Sequence, residues 1–334
     1  MKIFISGVAG FLGSHIADRM IDSGHQVVGV DNLVGGYLDN VNDSIEFYQS
    51  DCCYLNSMVK FMRGCDVVVH AACTAYEGLS VFSPNLISQN TYQITSTLLS
   101  AAIQNNVKRF VHCSSMARYG EQEVIPFTED MICKPQDPYG IAKYAAELLV
   151  KNLSDIHGME YVIAVPHNII GSRQKYDDPY RNVASIMINL MLQNRQPIIY
   201  GDGEQRRCFS FIEDDIFCLE KCIFDKNVVG QIINIGPDEE FVSINELAQL
   251  ISEILVFKLE PIYMPGRPQE VKFASCSADK ARRLLGYQTK TNLKDGLSDM
   301  VEYIRNRGPK KFKYHLDLEI LKGNTPKTWS EKLF

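Results

Sequence analysis

Several things this sequence lacks narrow its reading first. No apolar run approaches the roughly 18 residues that an α-helix needs to cross a bilayer, and a short strand stands where an export leader would. A membrane span and export are therefore not expected, and the expected compartment is the cytoplasm. Blocks of like charge are also missing. Lysine and arginine are dispersed and the formal net charge is −6, so there is no basic stripe of the kind that grips nucleic acid. No CxxC pair occurs among the ten cysteines. Cys218 and Cys222 would share a helix face, yet no histidine or second cysteine pair completes a zinc set, so buried reduced thiols and no metal are expected. Tryptophan occurs once, at Trp329.

What is present is a core. With 46% hydrophobic residues in 334, the chain can bury a large interior as two domains or one large α/β unit. Its first fourteen residues, MKIFISGVAGFLGS, run from an apolar strand (Lys2 to Ser6) into a turn with Gly7, Gly10 and Gly13. Glycines at this spacing let the backbone approach a pyrophosphate and let the next helix pack against the strand. The helix, with Phe11 and Leu12 in its first turn, aims free N–H groups and its positive dipole end at phosphates. The turn predicts a bound dinucleotide.

A second strand, Gln26 to Val30, ends in Asp31-Asn32. A carboxylate there accepts hydrogen bonds from both ribose hydroxyls and repels a 2′-phosphate, which favours NAD over NADP. Asp51 and Cys52, after a third strand near Ile45 to Gln49, are placed to reach the adenine. Ala71 and Ala72 follow a fourth strand and leave room for a ligand against the backbone, while His70 reads as a core histidine. Residues 85 to 105 read as a long helix and Arg109 to Cys113 as a fifth strand. Strands alternating with helices predict a Rossmann-type, doubly wound parallel sheet.

Chemistry enters at two further places. Tyr139 and Lys143 lie one turn apart on a strongly helical stretch, and Ser115 closes the fifth strand. A neighbouring ammonium and a cationic nicotinamide would both favour the phenolate and draw the tyrosine below its usual value near ~10. Ser115 could then hold a substrate hydroxyl while Tyr139 takes its proton.

The motifs GVAGFLG, VDN, HAA, SSMARYG, YGIAK, VPHNIIGSRQ, IIYGDGEQRRCFSFIEDD and PGRPQEV, in this order, resemble the extended short-chain dehydrogenase/reductases, specifically the NAD-dependent epimerase/dehydratase family. The resemblance implies an enzyme acting on nucleotide sugars, with Tyr139 as acid and base, Lys143 on the nicotinamide ribose and Ser115 on the sugar. It further implies that Asn168 contacts the diphosphate, that Arg207 and Arg267 clamp it, and that the chain forms a homodimer through two long helices. Residues 1–166 would mainly bind NAD and 167–307 the nucleotide sugar, in a smaller C-terminal α/β part interleaved with the first. Residues 308–334 form a tail expected to dock or to be partly disordered.

The chain departs from the family pattern at Cys208, Ser172 and Arg118. Arg118 is expected either to face substrate or to pair with Glu121, with the second reading favoured. The dehydratases carry an Asp-Glu pair after the catalytic Ser or Thr. Here Met116 and Ala117 stand there, neither able to transfer a proton, so the expected reaction is 4-epimerisation of a UDP-sugar. Met116 would line the sugar site. In the 4-epimerases that the chain resembles, the residue thirteen positions before the aromatic that closes a late helix lies beside C2; the resemblance thus puts Ala274, thirteen before Tyr287, there, where a small residue would admit the N-acetyl group of UDP-GlcNAc or UDP-GalNAc. The alternatives are a dehydratase or 4-dehydrogenase of the same family, and a non-catalytic NAD-binding sensor or scaffold.

Overall fold

The computed structural model describes all residues from Met1 to Phe334. Seven parallel strands form its main sheet: β1 (Lys2–Ser6), β2 (Gln26–Asp31), β3 (Glu46–Gln49), β4 (Val67–His70), β5 (Arg109–Cys113), β6 (Glu160–Pro166) and β7 (Ile232–Ile235). Their spatial order is β7-β6-β5-β4-β1-β2-β3. The order reverses between β1 and β4, and the crevice beyond the carboxyl ends at such a switch is where doubly wound sheets bind ligands. Register brings Ser6 level with His70, and His70 level with His112.

Period-two alternation sends successive side chains of each strand to opposite faces. Ile3 and Ile5 join a core with the helices α1 (Phe11–Asp22) and residues 212–224, while Phe4 joins a second core against residues 55–61, 94–104 and 138–157. Helices therefore cover both faces, as a parallel sheet requires.

Residues beyond β6 do two jobs. Ile212–Phe224, β7 and Asp279–Leu285 return to the main sheet, whereas Val183–Leu192, Ile244–Leu255 and Leu293–Arg307 build a separate core around Met187, Leu247 and Leu297. Ser243 and Glu246 form a capping box at the start of Ile244–Leu255. The stretch read as one helix over 85 to 105 is instead broken into Pro84–Ser88, a π-helical turn Gln89–Gln93 and Ile94–Gln104. Such turns are frequent at functional sites, and this one carries Asn90 into the main cleft. No helix is long and apolar enough to cross a membrane.

The tail is docked along its length. Lys313 N–H donates to Asp177 O and Ile320 N–H to Phe82 O, and the Glu319 carboxylate accepts from the N–H groups of Asn85 and Leu86 at 2.9 and 2.8 Å. Trp329 is 5% exposed and its Nε1 donates to Pro179 O.

Candidate active site

A cleft of about 460 Å³ opens beyond the carboxyl ends of the strands. Its first half is built by the glycine turn. A Cβ on Gly7, where φ is +76°, would lie 2.9 Å from Ala72 Cα, and one on Gly13 would lie 2.1 Å from Gly7 O. Only glycine permits this packing of turn, helix and neighbouring strand end. Helix α1 begins at Gly10 with no side-chain cap, so its first N–H groups are free for an anion. Asp31 accepts from Ala9 N–H at 3.0 Å and Leu33 N–H at 2.7 Å. Burial nevertheless holds its carboxyl above the usual range. Asp51 accepts from Asn32 Nδ2 and Cys53 N–H. Gly10, Phe11, Leu12, Asn32, Cys52 and Ala71 share the wall. An uncapped helix start, a carboxylate at the second strand end and a backbone that tolerates no Cβ together fit a dinucleotide. His70 is a core histidine as expected, bridging Ser6 Oγ and Thr95 Oγ1, each at 2.9 Å.

The three side chains expected to be catalytic, Ser115, Tyr139 and Lys143, all line this cleft. Asp137 caps the helix Pro138–His157 by accepting from Gly140 N–H at 3.0 Å, which anchors the turn bearing Tyr139. Lys143 Nζ donates to Cys113 O at 2.8 Å and stands 5.9 Å from the Tyr139 ring centre. The expected lowering of the tyrosine does not hold in the protein alone. Burial, with Cys73 and Glu77 beside it, holds the Tyr139 phenol well above its usual value, and the Ser115 hydroxyl opposes this only in part. The reason is desolvation: a phenolate in a water-poor wall loses more hydration than one hydroxyl returns.

Arg118 does not pair with Glu121. Its guanidinium is 3% exposed and lies 3.1 Å from the fully buried Glu147. Glu147 stands on the helix face that carries Tyr139 and Lys143, so the nearest buried carboxylate outcompetes an exposed loop glutamate.

The second half of the cleft carries positive charge. Arg207 is held by the carbonyls of Arg206, Lys272 and Val271. Arg267 pairs with Glu270 at 2.7 Å and stacks 4.9 Å from the Tyr200 ring centre. Asn168, at a φ of +46°, donates to Cys208 O. Asn182 caps Val183–Leu192, whose first turn faces the same space. Two expected positions fall outside the wall. Met116 packs behind it, its sulfur 3.6 Å from Asn168 Nδ2. Ala274 is 5% exposed and belongs to the core with Tyr119 and Cys276. It pairs in register with Arg207 in a two-residue strand whose alternation turns Phe273 outward and Ala274 inward.

The sequence profile of the NAD dependent epimerase/dehydratase family matches residues 3–236. The chain belongs to this family. A relative described as a putative UDP-glucose 4-epimerase, from Methanocaldococcus jannaschii, is 33% identical over 309 residues, 91% of this chain and 98% of its own. The solved UDP-glucose 4-epimerase of Thermotoga maritima with UDP-glucose aligns with a TM-score of 0.86 at 31% identity, over 92% of this chain and 99% of its own. The UDP-glucuronic acid 4-epimerase of Bacillus cereus, in complex with UDP-glucuronic acid and NAD, gives 0.85 at 29% identity, over 92% and 100%.

Within this epimerase/dehydratase fold, sequence reasoning missed many residues of the cleft wall, among them Cys73, Glu77, Asp137, Arg181 and Trp329. Arg181 lies 3.6 Å from Asp178 and stacks 5.0 Å from the Tyr76 ring centre. Asp137 carried a signal, since Asp-Pro at a helix start is a capping pattern. The others lie on loops or in the tail and had none.

Proposed function

We propose that this chain is an NAD-dependent nucleotide-sugar 4-epimerase that acts on a UDP-hexose through a transient 4-keto sugar. What carries the proposal is that one cleft joins a dinucleotide turn, the group Ser115, Tyr139 and Lys143, and the two arginines 207 and 267.

NAD, held by the glycine turn, Asp31 and Lys143, would supply the hydride acceptor and donor. Arg207 and Arg267 hold the diphosphate with planar, permanently charged forks. Ser115 Oγ orients the sugar hydroxyl, and Tyr139 Oη takes its proton and gives it back when the ketone is reduced from the other face. Lys143 contributes its positive charge to the phenolate that forms. Met116 and Ala117, the second of them buried, offer no proton for elimination of water. The protein thus supplies orientation and proton transfer.

The pair of long helices carries an unpartnered apolar face, with Tyr92 41%, Ile141 53% and Leu148 48% exposed. A second copy of the chain would cover it in a symmetric homodimer. All ten cysteines are unpaired, which suits a reducing, cytoplasmic compartment.

The test is product analysis by NMR and mass spectrometry with a panel of UDP-, GDP-, CDP- and dTDP-sugars, acetylated hexosamines included. An inverted C4 centre at unchanged mass is the expected result, whereas a product lighter by one water would overturn the epimerase reading.

A further inference from the structure

Five acidic side chains stand on the cleft wall, and four of them are engaged. Asp31 and Asp51 accept from backbone or side-chain N–H groups, Asp137 accepts from Gly140 N–H and Ser80 Oγ, and Glu270 holds Arg267. The fifth, Glu77, lines the same cleft, and its carboxylate makes no hydrogen bond to the protein. Its placement is nonetheless fixed. Glu77 opens a one-turn helix, Glu77–Ser80, in which Leu79 and Ser80 are buried. Ser80 Oγ bonds both Glu77 O at 2.7 Å and Asp137, the cap of the catalytic helix, at 3.1 Å.

On its other side the turn meets the diphosphate clamp. A Cβ on Gly78 would lie 3.1 Å from an Arg267 guanidinium nitrogen and 3.4 Å from the Trp329 ring. The turn that carries Glu77 thus joins the cap of the helix bearing Tyr139 to an arginine that would hold the diphosphate, and Glu77 lines the cleft they share. Its charge is felt in both directions. It raises the Tyr139 phenol, while desolvation by the surrounding cleft walls and the nearby Asp137 push its own carboxyl up against the pull of Arg207 and Arg267. Glu77 is exposed to the open cleft, and with no protein partner its carboxylate is free to accept a hydrogen bond from a ligand hydroxyl.

We propose that Glu77 is a specificity-determining residue at the sugar end of the cleft, accepting a hydrogen bond from a hydroxyl of a neutral nucleotide hexose and turning away nucleotide sugars that carry a carboxylate. The assignment rests on the epimerase reading above. A sugar hydroxyl satisfies the lone acceptor, whereas a uronate carboxylate brings a like charge beside it.

The experiment measures kcat and KM of the wild type, Glu77→Gln and Glu77→Asp with UDP-glucose and UDP-glucuronate, with thermal melts and NAD content checking that each variant is folded. The wild type is expected to favour UDP-glucose. Glu77→Gln should lower kcat/KM for UDP-glucose by about tenfold, mostly through KM, on the scale of one hydrogen bond to a charged group. The same substitution should raise turnover of UDP-glucuronate, and Glu77→Asp should restore the wild-type order. Equal changes for both substrates, or none, would overturn the proposal, as would a dehydrated product that disappears in Glu77→Gln, because Glu77 would then be transferring protons. Wild-type protein that turns over no nucleotide sugar would refute the epimerase reading itself, and the role of Glu77 with it.

Discussion

Glu147 lies two helical turns beyond Tyr139 on the same helix face and holds Arg118 at 3.1 Å, with the two side chains 0% and 3% exposed. Its other carboxylate oxygen accepts from Ser114 Oγ, the residue before Ser115. One buried carboxylate thus ties the end of β5 and the loop after it to the helix that carries Tyr139 and Lys143. Burial lowers the affinity of Arg118 for its proton, but Glu147 together with Tyr119 and Cys133 more than offsets this, and the Tyr119 and Tyr144 rings lie 5.0 and 5.8 Å from the guanidinium.

Breaking this pair from one side should be severe. Arg118 Nε and Nη1 have no other hydrogen-bond partner, so Glu147→Leu leaves an uncompensated buried charge, at a cost of about 3–5 kcal/mol. The double variant Arg118→Met with Glu147→Leu should regain most of that loss in denaturant unfolding. A double variant as unstable as the single would show that the pair itself, not the stranded charge, sets the stability.

Tyr139→Phe should lower kcat by about 10²- to 10⁴-fold, the range of general acid–base catalysis. The Phe variant should still retain NAD through gel filtration, because the glycine turn and Asp31 are untouched. If turnover survives the loss of the phenol, the proton passes through another group.

The tail should matter to both stability and substrate affinity. Trp329 meets Phe82 and Tyr180 with ring centres 6.1 and 5.8 Å away and also borders the cleft. Trp329→Ala should destabilise the protein by about 3–5 kcal/mol, as for a buried aromatic truncation. It should also raise KM for the nucleotide sugar with a smaller effect on kcat. Unchanged melting and KM would mean that the docked tail carries neither role.

Acid should weaken the fold through its buried histidines. His15 is lowered to about 4, mainly by burial, with its Nε2 against Ser172 O at 3.1 Å. A depressed folded value means that the unfolded chain binds the proton first. The stabilising contribution is therefore complete above about pH 6.5 and is lost as pH falls towards 4, amounting to about 3 kcal/mol. His70, His112 and His167 are lowered in the same direction by burial. Melting temperature followed from pH 7 to 4 should drop, and His15→Gln should flatten part of that slope. A parallel slope in the variant would place the titration elsewhere.

The sequence by itself determined the first five strands of the sheet, the glycine turn, Asp31 and the group Ser115, Tyr139 and Lys143. These features are local: a strand end, a turn with its helix, and two residues one helical turn apart are fixed by short-range periodicity and backbone sterics. Only the tertiary structure decided what depends on approach across the chain. Arg118 chose Glu147 rather than Glu121 because a helix 29 residues away offers the buried partner. Ala274 turned inward because a two-residue strand pairs with Arg206 and Arg207. Glu77 became the unpartnered carboxylate of the cleft because Ser80 ties its turn to Asp137 while Gly78 brings it against Arg267. The state of Tyr139 belongs to the same class, since desolvation depends on everything that surrounds the phenol and not on the spacing that first marked it.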